Sequence, residues 1–186
     1  MWYQAKVVVP PEAKPISVSD VKAQCRIDHD SEDGYLASLI DAAVSHIETL
    51  CMARFAPTTV DIMCDGFSDL LNIPEGPLSS IVSIKYVDIS GSEQTVDSSG
   101  YVSVISGLDS SVRPVTGARW PEIQDGSRIT VRAIVGFENC PPDVAHAMKL
   151  IVAHWNENRE PVSIGNATTD LPMMVDHLIC NYRRYP

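Results

Sequence analysis

The chain has 186 residues, 45% of them hydrophobic and 20% charged, which is the balance of an ordinary globular domain and not of a disordered or fibrous chain. Its 14 basic against 24 acidic residues give a net charge of −10, a poor match for tight binding along a nucleic-acid backbone, which draws on lysine and arginine displacing counterions. No apolar run approaches the ~20 residues that span a bilayer, and Met1-Trp2-Tyr3-Gln4-Ala5-Lys6 lacks the basic-then-apolar order of a secretory signal.

Residues 1–16 carry Pro10, Pro11 and Pro15 and read as an extended arm, with Lys6-Val7-Val8-Val9 able to add as a strand elsewhere, ordering on assembly against a neighbour. Ser17 is placed to cap a short helix with Asp20 three residues on, and Val18, Val21 and Cys25 give that helix an apolar stripe. Asp30 is expected to cap a second, long helix. Leu36, Leu39, Ile40, Ala43, Val44, Ile47, Leu50 and Cys51 recur on it at three- and four-residue spacings, which mark one wide buried face ending near Arg54.

From Thr58 the period changes to two. Val60, Ile62 and Cys64 alternate with polar or half-polar neighbours, Asp65-Gly66 is a hairpin dipeptide, and Leu70–Ile73 is expected to return as a strand. Further strands are predicted over Ser80–Asp88, Glu93–Val96, Tyr101–Ile105 and Arg128–Val135. Eight of the ten glycines fall between Gly66 and Gly136, where tight turns need them. Pro141-Pro142-Asp143 then starts a helix with Val144, Ala147, Met148, Ile151, Val152 and Trp155 inward, and a last helix opens near Thr169 or Asp170. The fold class is therefore α+β: a helical bundle from the N- and C-terminal helices with a small inserted antiparallel β region. The expected division is an arm over 1–16 and one domain over 17–186, helical over 17–55 and 141–186 with the β insertion over 56–138.

Candidate chemistry is sparse. Cys25, Cys51, Cys64, Cys140 and Cys180 are odd in number and include no CxxC, which argues against a disulfide framework and a zinc site and for reduced thiols in a cytoplasmic setting. Asp28-His29-Asp30 gathers three possible ligands, but consecutive side chains in a turn point apart. His146 and His154 are eight residues apart, ~12 Å along a helix, too far to share a metal. No GxSxG, P-loop or GxGxxG occurs. Catalytic, cofactor-binding and metal sites are all expected to be absent. A small hydrolase using a cysteine or a carboxylate and a cytoplasmic binding module are the competing classes.

Several segments taken together resemble the head–tail connector (adaptor) proteins of long-tailed double-stranded DNA bacteriophages and gene transfer agents. They are Ser19–Ile27 with Asp28-His29-Asp30, Leu78–Tyr86, Trp120-Pro121 with Val131–Gly136, Pro142-Asp143-Val144 leading into Ala153–Glu160, and Leu171-Pro172 through Leu178 to Tyr182-Arg183-Arg184. The resemblance covers about residues 17–184. It implies a non-enzymatic virion protein, made in the host cytoplasm, that forms a ring of typically twelve copies at the capsid–tail neck. Such a ring joins the portal to the stopper or tail-completion protein while DNA passes through its lumen. A stopper or tail-completion protein is the alternative within the same neck. Under this reading Glu157, Asn158, Arg159, Glu160, Arg183 and Arg184 are the expected contacts to neighbouring copies or to the portal, with the arginines suited to bidentate pairing with carboxylates.

Overall fold

The structure, a computed structural model, describes residues 1–159 and 171–184. The described strands are β1 (Lys6–Val9), β2 (Thr58–Cys64), β3 (Leu78–Val87), β4 (Glu93–Thr95), β5 (Tyr101–Ser106), β6 (Asp109–Pro114) and β7 (Ile129–Val135). The described helices are α1 (Val18–Cys25), α2 (Asp33–Cys51), α3 (Pro142–Glu157) and α4 (Leu171–Ile179). The fold is α+β, with helices before and after an inserted antiparallel sheet region. The chain divides into two compact units: Met1–Glu12, Met52–Glu138 and Arg184–Pro186 form a β unit, and Ala13–Cys51 with Asn139–Arg183 form a helical unit.

In the β unit, β1-β2-β7-β3-β4 form a five-stranded antiparallel sheet, and β5 and β6 a separate ribbon. The two-residue period of the sequence is realised directly. Val60, Ile62 and Cys64 on β2 and Ile129, Val131, Ala133 and Val135 on β7 are buried on one face with Leu78 and Ile84 of β3. On the other face Asp61 stands opposite Arg132, which donates two bonds to its carboxylate at 2.7 and 2.8 Å. Residues Lys6–Val9 pair with β2 of their own chain, so this segment is a native edge strand instead of waiting for a neighbour.

Two local expectations are corrected. Phe67–Leu71 forms a 3₁₀ turn, not a returning strand. Its buried residues, Phe67 and Leu70, are three apart, and that spacing puts both inward only if the chain coils. Phe67 then stacks on Trp120, with ring centroids 4.6 Å apart. Strand β6 was not expected, because Asp-Ser-Ser-Val-Arg-Pro has no apolar alternation. It is a strand because the two-residue turn Gly107-Leu108, with Gly107 at φ +62°, folds it back on β5.

The helical unit follows its apolar stripes. Leu36, Ile40, Ala43, Ile47 and Cys51 of α2 and Val144, Ala147, Met148, Ile151 and Val152 of α3 are buried, and α3 packs against α1, α2 and α4. Ser17 caps α1 as read, its hydroxyl accepting from the Asp20 N–H while the Asp20 carboxylate accepts from the Ser17 N–H. Helix α2 begins at Asp33 and not directly after Asp30, and it stops at Cys51, three residues short of Arg54. The Asp30 carboxylate instead pairs with Lys22, whose ammonium also reaches Asp33 at 2.9 Å. One lysine thus ties the α1–α2 turn to the electropositive start of α2.

Candidate functional site

The polar residues singled out in the sequence lie at helix ends and chain crossings. Glu157 is the last residue of α3, and Asn158 caps it, its N–H and side-chain amide both donating to the His154 carbonyl at 3.0 Å. Arg159 follows at once. Its guanidinium donates to Glu32 at 2.8 Å and to the Asn156 side chain at 3.1 Å, and lies over the Tyr35 ring at 4.6 Å. The end of α3 is therefore fixed against the start of α2 by an ion pair and a cation–π contact, while Glu157, Asn158 and Arg159 all stay exposed. Glu160 lies outside the described residues.

The two C-terminal arginines have different surroundings. Arg183 belongs to the helical unit and pairs with Asp176 of α4 at 2.6 Å. Arg184 belongs to the β unit, and its side chain is only 7% exposed. Its guanidinium donates to the backbone carbonyls of Pro74 and Ile73, the latter at 2.8 Å, with Asp109 at 3.5 Å. Each arginine thus has its own acceptors within the chain. Sequence reasoning missed Glu32, Tyr35 and the Ile73 and Pro74 carbonyls. Nothing in the local sequence around Arg159 or Arg184 points to them.

Hydrolytic chemistry finds no support in the thiols. Burial pushes Cys51, Cys64 and Cys140 each up to about 11, so at neutral pH they are protonated and poor nucleophiles. Among the described residues no cysteine sulfur is hydrogen-bonded to a histidine ring, and no group of three or more His, Cys, Asp or Glu could hold a metal ion. His29, the central residue of Asp28-His29-Asp30, meets the Ser31 hydroxyl at 2.8 Å. No described helix is long and apolar enough to cross a membrane.

The exposed turn joining β3 to β4 is closed by a network of hydrogen bonds on one carboxylate. The Asp88 carboxylate accepts from the Ser90 hydroxyl at 2.5 Å, the Ser92 N–H at 3.0 Å, the Gln94 amide at 3.0 Å and the Ser90 N–H at 2.8 Å. These bonds favour its charged form and lower it from 3.8 to about 2. A depressed carboxyl stabilises the turn fully above its ordinary value and loses that contribution as pH falls through the folded one. In an NMR titration the Ser90 and Ser92 amide resonances should therefore hold steady down to about pH 3 and shift near pH 2. A midpoint near 3.8 would contradict the network.

Comparisons with known proteins give a family and a shared fold. A model of the phage gp6-like head-tail connector protein family matches residues 15–112, just over half of the chain. A chain from the virion of a native gene transfer agent (GTA) particle shares the fold at TM-score 0.82 and 23% identity, over 99% of this chain and 97% of that one. Chains from the neck of an empty GTA particle computed with C6 symmetry and the neck of a native GTA particle computed with C12 symmetry give TM-scores of 0.80 and 0.78. Both are 21% identical, again over 99% of this chain and 97% of theirs. None of the curated proteins matches the chain.

Proposed function

The chain belongs to the phage gp6-like head–tail connector family, and on that premise we propose that it is a structural neck protein. Copies close into a ring, of twelve, between the portal and the stopper or tail-completion protein, and the genome passes through the lumen. The observation that carries this reading is the fold shared along nearly the whole chain with neck chains of GTA particles, one of them in a neck of C12 symmetry. The polar residues Glu157, Asn158, Arg159, Glu160, Arg183 and Arg184 are the proposed contacts to neighbouring copies or to the portal. Supporting this, Glu157, Asn158 and Arg159 are exposed, and the Arg159 guanidinium is already oriented by Glu32 and Asn156, so it loses less side-chain entropy when it meets a partner's carboxylate.

Charge fits the same reading. Twelve copies at −10 each carry about −120 formal charges. An acidic lumen repels phosphates and lets a genome slide where a basic one would retain it. The test is electron microscopy of the full chain mixed with portal, expected to image a ring at the portal's tail-side end. Paired Arg159→Glu and Arg183→Glu substitutions should weaken portal binding at least tenfold, about 1.4 kcal/mol. Absence of any ring would overturn the neck assignment, and unchanged affinity would remove these residues from the interface.

A further inference from the structure

Two features of the β unit remain without a role. The first is Ile89, at the tip of the β3–β4 turn and 73% exposed. Single exposed aliphatics are common on protein surfaces, but this one is held by the Asp88 network, with the Asp88 N–H donating to the Ser92 carbonyl and the Gly91 N–H to the Asp88 carbonyl. It is a preorganised apolar knob. The second is a pocket of about 600 Å³ in the same unit, walled by Trp2, Met52, Leu71, Pro74 and Val104. Met52, Leu71 and Val104 are 51%, 57% and 43% exposed, although a pocket wall is where apolar surface is most easily covered. Ser110 also lines it, 5% exposed, and its buried hydroxyl has no partner among the described residues. Arg113 is at the same pocket, exposed, and no described residue pairs with it.

We propose that Ile89 of one copy inserts into this pocket of the next copy, and that this head-to-tail contact closes the ring. The inference rests on the ring reading above and names its interface. A second copy is favoured as occupant because knob and pocket are carried by one chain and are different surfaces, which is the condition for a heterologous contact that repeats around a cycle. Chemistry also matches. The apolar walls take the isoleucine, and the ionised Asp88 beside the knob faces Arg113, which no described residue pairs with. Because the turn is already ordered, little conformational entropy is lost on docking.

The test uses the full chain with Cys180, the exposed native thiol, replaced by serine. In that background the double variant Ile89→Cys, Leu71→Cys is treated with a short bismaleimide in preparations imaged in parallel for rings. A covalent ladder extending beyond dimers is expected, with neither single variant giving one. Rings without a ladder would overturn the knob-in-pocket contact and leave the ring reading intact. No rings, with or without portal, would overturn the ring reading and this contact together. Independently, Ile89→Asp should convert rings to monomers in sedimentation with an unchanged circular dichroism spectrum, and persistence of rings would overturn the proposal.

Discussion

Gly136→Ala is expected to destabilise the β unit by about 3–5 kcal/mol and to lower its melting temperature by roughly 10 °C or more. Gly136 follows β7 with φ at +110°, a backbone conformation that side-chain-bearing residues rarely adopt. A Cβ there would also lie 2.2 Å from the Ala56 carbonyl oxygen and 2.8 Å from its carbon. Neither backbone atom can swing aside as a flexible side chain would. The Gly136 N–H donates to the Pro77 carbonyl at 2.8 Å and the Phe137 N–H to the Arg54 carbonyl at 3.2 Å. Relief of the clash would therefore break the hydrogen bonding that joins three segments. Gly126→Ala is the control: Gly126 has φ at +75° with open space around it, so only the backbone strain, about 1 kcal/mol, applies. Thermal denaturation of both variants decides the point. Equal losses would mean that the close approach to Ala56 is not felt.

Arg184→Met should cost about 2–4 kcal/mol in the β unit, the loss of two charge-assisted bonds and the exposure of two carbonyls to poor company. The stem is retained, so packing alone does not account for the loss. The planar fork of Arg184 reaches the Ile73 and Pro74 carbonyls together, and a lysine, a point donor, should recover less than half of the effect. Space at this place is already closed, since a Cβ on Gly76 would lie 2.6 Å from the Leu108 carbonyl oxygen and 3.3 Å from the guanidinium. Hydrogen exchange of the amides over 71–78 is the measurement. Faster exchange confined to that stretch in Arg184→Met is expected, and an unchanged pattern would reduce Arg184 to a surface residue.

Legibility in the sequence followed periodicity. Helices α2 and α3 were readable because each buries a stripe at three- and four-residue spacing, and β2 and β7 because each alternates cleanly. The 3₁₀ turn was misread because Leu70-Leu71 looks like a strand unless Phe67 is counted with Leu70. Strand β6 was invisible because its pairing comes from a turn and a partner strand and not from its own composition. For the proposed site, the residue types at Arg159 and Arg183 were legible, whereas their partners were not. Glu32 is 127 residues from Arg159, and backbone carbonyls such as those holding Arg184 have no sequence signature at all. The pocket beside the ribbon could not be read, since its walls come from five stretches of chain far apart in sequence.

The alternation of the chain between its two units bears on the order in which they fold. Helices α2 and α3 pack on each other, yet everything from Met52 to Glu138 lies between them as part of the β unit. Pairing of β2 with β7, which sets Thr58 opposite Val135, brings the two ends of that long excursion together. Closing the remaining gap then costs roughly 1–2 kcal/mol less entropy than closing the whole excursion. Formation of the sheet thus shortens the loop that must close before α2 meets α3, and a lesion such as Gly136→Ala should slow the association of those helices.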